Sequence, residues 1–274
     1  MTASSSDAAF ATATTWTPLG EGRYAGRIAP HWFQGRGSYG GLLGGVLLRS
    51  MMRELNEPAR MPRSLTVHFC APVNEQEATV TVRLERAGRQ VSHLSARLEQ
   101  AGQVACLASA TFATSRDTPL VFTDAQPPQV PPPHDLPPAV SEVMPAFCGQ
   151  FDYRWCVGSL PYSGAAEARL GGWVRPRVPE PLDAPLAVGL LDAFPSAAFA
   201  RVDGFAQGAT MDYTIHFYAP LPLASSTPGS FYLRAGHSRH AAHGYADEIA
   251  ELWSEDHQLI GQLRQMAAIF PPQR

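Results

Sequence analysis

Three polar side chains in the second half of the chain stand where a packed core is expected. Asp192 lies in the apolar stretch Leu186-Ala-Val-Gly-Leu-Leu-Asp-Ala-Phe-Pro195, read as a helix, and a poorly solvated carboxylate is costly there unless it is used in chemistry or paired. Gln265 shares the alternate positions of its strand with Leu259, Leu263, Ala267 and Ile269, which turns its amide toward the packed face. Thr210 opens the strand Ala-Thr-Met-Asp-Tyr-Thr-Ile-His-Phe-Tyr. Strict alternation groups it with Asp212, Thr214 and His216, so it joins the other two only through a bulge or at the strand's end. The local alternative is that Asp192 caps or pairs nearby and Gln265 satisfies a backbone group.

Other motifs invite sharper chemistry than their context supports. Gly35-Arg-Gly-Ser-Tyr-Gly40 fits G-x-G-x-x-G before a helix, but consecutive strands follow that helix and the βαβ alternation of a dinucleotide fold is missing. Two readings remain: a flexible helix entry, or free amides around Tyr39, Gly40 and Gly41 at a positive dipole end that polarises an acyl carbonyl. Gly236-His-Ser238-Arg-His240 lacks the closing glycine of a nucleophile elbow and sits between strands. His237, His240 and His243 recur every third residue, a spacing that does not gather three ligands on one side of a strand. Cys70, Cys106, Cys148 and Cys156 lie far apart, as reduced core residues rather than a disulfide frame or a zinc site.

The elements that must position the polar residues follow from a break and a repeat. Gln126 to Pro138 reads QPPQVPPPHDLPP, an extended linker between residues 1–125 and 139–274. On each side the order is one apolar helix and then several strands. Ser64-Leu-Thr-Val-His-Phe-Cys-Ala-Pro-Val73 matches Asp212-Tyr-Thr-Ile-His-Phe-Tyr-Ala-Pro-Leu221 at the offset that separates His68 from His216. A structural role common to both halves is therefore the simpler account of these two histidines, against catalytic use of either. By that offset Asp192 corresponds to Gly44 and Thr210 to Pro62, and by a slightly larger one Gln265 corresponds to Ala110. The second half has one polar site where the first half has none. The first helix, Gly41 to about Glu54, is apolar nearly all round and must be buried. Strands at about 63–71, 76–86, 90–100 and 103–114 follow with short turns, so antiparallel pairing in an α+β unit is expected.

Bulk properties narrow the function classes. Basic residues number 21 against 24 acidic ones, a net charge of -3 with no basic cluster, which argues against a nucleic-acid partner. No apolar run approaches a membrane span, and Met1 to Trp16 lacks the pattern of a secretory signal, so a cytoplasmic location is expected.

Taken with their order and spacing, these residues resemble the double-hotdog acyl-CoA thioesterases, the bacterial thioesterase II type and its peroxisomal relatives. The resemblance runs from about Gly20 to Phe270. It rests on Tyr39-Gly-Gly-Leu42, His68-Phe-x-x-Pro72, Leu191-Asp192, Ala209-Thr-x-Asp212, Phe217-x-x-Pro220 and Gln265. It implies a double hotdog, each half one long buried helix wrapped by an antiparallel sheet, and a hydrolase of lipid metabolism that splits acyl-CoA into free acid and CoA. By match, Asp192, Thr210 and Gln265 hold and activate the attacking water, and amides at Gly40, Gly41 and Leu42 beside Tyr39 receive the oxyanion. No cofactor or metal is implied, acyl-CoA is the partner, and exposed sheet edges admit a homodimer. Where the family has Asp-His-Ser-x-Trp-Phe, this chain reads Asp212-Tyr-Thr-Ile-His-Phe217; its helix opens Gly40-Gly-Leu42 rather than Gly-Gly-Gln, and Gln265-Met-Ala267 replaces Gln-Glu-Gly. Two other classes stay open: a silent acyl-CoA-binding protein of the same shape, and a hydratase or dehydratase, which would need a His beside the acid.

Overall fold

The structure, a computed structural model, describes residues 9–139 and 144–270. The expectation of no signal at Met1–Trp16 therefore falls partly outside the described residues. The chain starts with a short helix α1 (Phe10–Thr14), strands β1 (Thr17–Gly20) and β2 (Arg23–Gly26), and a ribbon of β3 (Phe33–Gln34) and β4 (Gly37–Ser38). Helix α2 (Gly40–Leu55) and the strands β5 (Met61–Phe69), β6 (Ala78–Ala87), β7 (Val91–Gln100) and β8 (Gln103–Ala113) complete the first half. Then come β9 (Phe151–Gly158), β10 (Arg169–Pro176), helix α3 (Ala184–Leu191), β11 (Gly208–Phe217), β12 (Tyr232–His237), β13 (Ala241–Ala242), β14 (Tyr245–Ser254) and β15 (Leu259–Ile269).

Helix α2 is built mostly from straight-chain apolar and arginine residues, which lose little rotamer freedom in a helix, and it stops where Asn56 takes the left-handed conformation. Leu42, Leu43, Val46, Leu47 and Met51 are all buried in the main core, as its all-round hydrophobicity predicts. The small Gly44 and Gly45 admit neighbours: a Cβ on Gly44 would overlap the Tyr213 hydroxyl, and one on Gly45 would press on the Phe10 ring.

The strands form one 13-stranded sheet in the order β1-β2-β6-β7-β8-β5-β11-β15-β14-β12-β10-β9, with β13 attached to β14. This order reads as a mirror about the β5–β11 seam, where the internal repeat becomes a local two-fold. Thr66 faces Thr214 there, with their hydroxyls 2.9 Å apart, flanked by Ser64 opposite His216 and His68 opposite Asp212. The same equivalence governs the neighbouring ladders, since Leu65 pairs with Ala110 on one side and Tyr213 with Gln265 on the other. Each seam strand also has a register shift at the matching place, between Pro62 and Ser64 and between Thr210 and Asp212. His68 and His216 are exposed.

One expectation is corrected. The first half has its long buried helix, but α3 has only eight residues and Asp192 is its C-cap rather than an interior residue. Asp183 starts α3 by accepting from the Leu186 amide at 2.8 Å, with Pro185 in the first turn. Pro195 lies too close for continuation, because a proline disfavours helical geometry in the residue before it and brings no amide hydrogen. The chain instead turns into a 3-10 segment, Ala197–Arg201.

The Pro-rich stretch has no strand or α-helix and a single 3-10 turn, Pro133–Asp135. It is docked: Val130 and Leu136 pack on a second cluster formed by Val157, Trp173, Phe231, Leu233 and Trp253, and the Trp173 indole donates to the Pro131 carbonyl at 2.9 Å. Neighbours Tyr232 and Val174 belong to the main core instead, so strand alternation puts this cluster on the other face of the sheet.

Candidate active site

Because α3 stops at Asp192, its carboxyl group emerges at the helix end, facing the start of α2. A Cβ on Gly40 would lie 2.9 Å from Asp192 Oδ2, and one on Gly41 would lie 3.1 Å from the Asp192 Cβ and 3.0 Å from the Gly189 Cα. Only glycine at these two positions lets the helices approach this closely. Asp192 keeps partial access to solvent. Burial pushes its pKa up to about 7; the Arg234 charge opposes that rise, the Glu248 charge adds to it, and the Gly41 amide favours the ionised form.

The register shift in β11 leaves Met211 as the extra residue and turns Thr210 to the side of Tyr213 and Ile215. This is the bulge that Thr210 requires. Its hydroxyl donates to Gln265 Oε1 at 3.2 Å. Gln265 is buried, as its alternation predicts, and its Nε2 donates to Glu248 Oε2. Glu248 Oε1 in turn accepts from Arg234 Nη2 and from the Ala197 amide, both at 2.9 Å. Arg234 Nε reaches the Leu191 carbonyl at 3.2 Å, next to Asp192. Thr210 and Gln265 are thus joined directly, whereas no hydrogen bond links either to the Asp192 side chain among the described residues; the chain of bonds runs from Gln265 through Glu248 and Arg234 to the Leu191 carbonyl.

Sequence reading missed Arg234, Glu248 and Tyr213. The signal was present for Glu248, which falls on the same strand phase as Ala246, Ala250 and Leu252, all buried. For Arg234 it was weaker, in an apolar strand too short to show a clear alternation. Tyr213 fills the space that Gly44 vacates and donates to the Gly40 carbonyl at 3.2 Å.

At the start of α2, Tyr39 is the N-cap and offers no side-chain cap, so the amides of the first turn lack intrahelical partners. Gly41's amide faces Asp192, while the Gly40 and Leu42 amides complete the positive end of a 16-residue helix. The Tyr39 ring stacks on Phe147 at 4.2 Å and its hydroxyl is buried without a hydrogen-bond partner among the described residues. Burial, with the nearby Asp192 charge, holds that phenol well above its usual pKa, so it stays neutral.

The competing motifs resolve into local structure. Gly35 at φ 71° makes the turn of the β3–β4 ribbon, and no βαβ unit surrounds it. Ser238 follows β12 and leads into β13, and Asp247 Oδ1 binds its hydroxyl and the amides of Arg239 and His240. Among the described residues no three His, Cys, Asp or Glu side chains are grouped to hold a metal ion, the four cysteines are free, and no helix is long and apolar enough to cross a membrane.

The models of the acyl-CoA thioesterase N-terminal and C-terminal domains match residues 28–113 and 124–269. The chain belongs to the acyl-CoA thioesterase family. Its fold is similar to that of a hot dog fold protein of unknown function from Alicyclobacillus acidocaldarius, with TM-score 0.87 and 25% identity over 96% of this chain and 98% of that one. A putative thioesterase II from Thermobifida fusca has TM-score 0.80 at 24% identity, covering 96% of this chain and 97% of its own. An acyl-CoA thioesterase II from Mycobacterium marinum has TM-score 0.77 at 21% identity, covering 96% and 99%. No curated protein matches the sequence significantly.

Proposed function

We propose that this member of the acyl-CoA thioesterase family hydrolyses acyl-CoA, with halves 1–125 and 139–274 joined by the Pro-rich segment and the chemistry in the second half. The observation that carries the reading is the Asp192 carboxyl group pressed against the amino end of a buried helix at Gly40 and Gly41, where burial pushes its pKa up to about 7. A group that ionises near neutrality both accepts a proton from water and returns it. The Gly40 and Leu42 amides at the helix start are suited to a developing oxyanion, and the Gly41 amide, which favours the Asp192 carboxylate, joins them once that group has taken its proton.

In this reading the thioester carbonyl oxygen lies at the amides of Gly40, Gly41 and Leu42, next to Tyr39. Asp192 takes a proton from water as the water oxygen bonds to the carbonyl carbon, forming a tetrahedral oxyanion. That intermediate collapses, the carbon–sulfur bond breaks, and the departing thiolate takes the proton from Asp192. Free acid and CoA thiol are the products. Thr210 and Gln265 fix the water so that attack becomes effectively intramolecular.

The test is thiol release from a panel of acyl-CoAs, short, long and aromatic, by wild type and Asp192→Asn at equal folded concentration. Hydrolysis of one class by wild type and a loss on the order of 10²-fold or more in the variant support the proposal. Equal inactivity of both, with CoA esters still bound, would mark a binding protein in a thioesterase family.

A further inference from the structure

The Arg234–Glu248 pair is fully buried, with both side chains at 0% exposure and a 2.9 Å contact. A pair of this kind is weak evidence for stability, because desolvation offsets much of the attraction, so its place in the molecule calls for another account. Each nitrogen of the Arg234 guanidinium has an internal acceptor: Nη2 on Glu248, Nε on the Leu191 carbonyl and Nη1 on the Leu170 carbonyl at 3.4 Å. Glu248 spends Oε1 on Arg234 and the Ala197 amide, leaving Oε2 for the Gln265 amide. Gly236 leaves room for the pair, since a Cβ there would overlap both Arg234 and Glu248.

An ionised carboxylate accepts hydrogen bonds and donates none. Gln265 must therefore turn its nitrogen to Glu248 and its oxygen outward, where Oε1 receives the Thr210 hydroxyl proton at 3.2 Å. Thr210, having donated its only proton, is left as an acceptor.

We propose that the buried Arg234–Glu248 pair is a positioning device that locks the orientation of the Gln265 amide, so that the reacting water meets hydrogen-bond acceptors at both of its protons. This rests on the thioesterase reading above. One water proton goes to Asp192 and the other to the Thr210 oxygen, which directs a lone pair of the water at the thioester carbon. With the amide reversed, Gln265 would offer N–H to Thr210, the threonine proton would turn toward the water, and the water would be held in an orientation unsuited to attack. Arg234 and Glu248 touch neither substrate nor water.

Glu248→Gln tests this with little change in volume. The substituted side chain keeps its oxygen on Arg234 and turns its nitrogen to Gln265, so the Gln265 amide reverses. The expected result, at a temperature where the variant is folded, is kcat for the best acyl-CoA about 10- to 100-fold lower with KM close to wild type, and a lower unfolding midpoint because Arg234 is left as a buried charge without its counter-ion. Adding Gln265→Glu restores both an acceptor facing Thr210 and the negative charge beside Arg234, and should recover most of the lost kcat. The pH at which activity levels off, which follows the charges around Asp192, should move in Glu248→Gln by less than would account for the loss of kcat, which persists at its plateau. Unchanged kcat in folded Glu248→Gln, or a loss that the double variant leaves in place, overturns the proposal.

A second readout does not need turnover. The side-chain amide resonances of Gln265, assigned by their loss in Gln265→Leu, should include one proton shifted far downfield by the carboxylate, and Glu248→Gln should remove that shift. A wild type with the shifted proton but no thioesterase activity would sink the functional reading and leave the lock standing. A wild type with activity but without the shifted proton would do the reverse.

Discussion

A carboxyl group with a pKa of about 7 changes charge in the range where hydrolysis is measured, so Asp192 leaves two pH signatures. It acts as a base in its ionised form. Therefore kcat/KM should rise with pH, about tenfold per unit, and level off above about 7. A pH–rate profile without that limb would exclude Asp192 as the base. Tyr39, Tyr153 and Tyr213 also face it, and each is held neutral by burial, so across this range its electrostatic partners are the charges of Arg234 and Glu248. The stability signature has the opposite sense. A folded-state pKa raised from 3.8 to about 7 favours folding fully below 3.8, and that contribution is lost as pH rises through 7. Asp192→Asn should thus be more stable than wild type at pH 8 and equal to it below pH about 4. The gain is on the order of 2 kcal/mol, less than a fully dry carboxyl would give because Asp192 retains access to solvent. Urea unfolding of both proteins at the two pH values measures it.

Helices and strands meet at glycines in this fold, and Gly44 of α2 is the tightest of these junctions. The Tyr213 side chain of β11 occupies the space a Cβ would need, with Val188 of α3 close by. Alanine is favoured over glycine in a helix by about 1 kcal/mol, yet Gly44→Ala should lose about 1–3 kcal/mol through overpacking. Adding Tyr213→Phe, which removes the overlapping hydroxyl, should return part of that loss. A stabilised Gly44→Ala in denaturant titration would show that the α2–β11 contact relaxes easily. The bulge at Met211 is the other device at this scale, because without it Thr210 would point away from Gln265.

Across the whole molecule, the β5–β11 seam makes one continuous sheet of the two halves, and the main core draws on both. Phe10, Tyr39 and Leu47 belong to the same cluster as Val188, Tyr213 and Leu263. Shared burial of this extent couples the halves, so calorimetry and tryptophan fluorescence should report one coincident unfolding transition. Two separated transitions would show the halves to be energetically independent. Much of the architecture was readable beforehand. The offset between His68 and His216 announced the two-fold, the apolar run after Tyr39 announced a buried helix, and the alternation around Gln265 announced its burial, because hydrophobic period and internal repetition are local properties of a chain. The length of α3 was misread, since the apolar run continues past the point where Asp192 and Pro195 end the helix. The union of Thr210 with Gln265 depended on a bulge that alternation could only require. The junction of Asp192 with Gly40 and Gly41, and the burial of Arg234 against Glu248, came from neither period nor motif. Those contacts join residues far apart in the chain, and their cost and pKa depend on which atoms the folded core brings within reach.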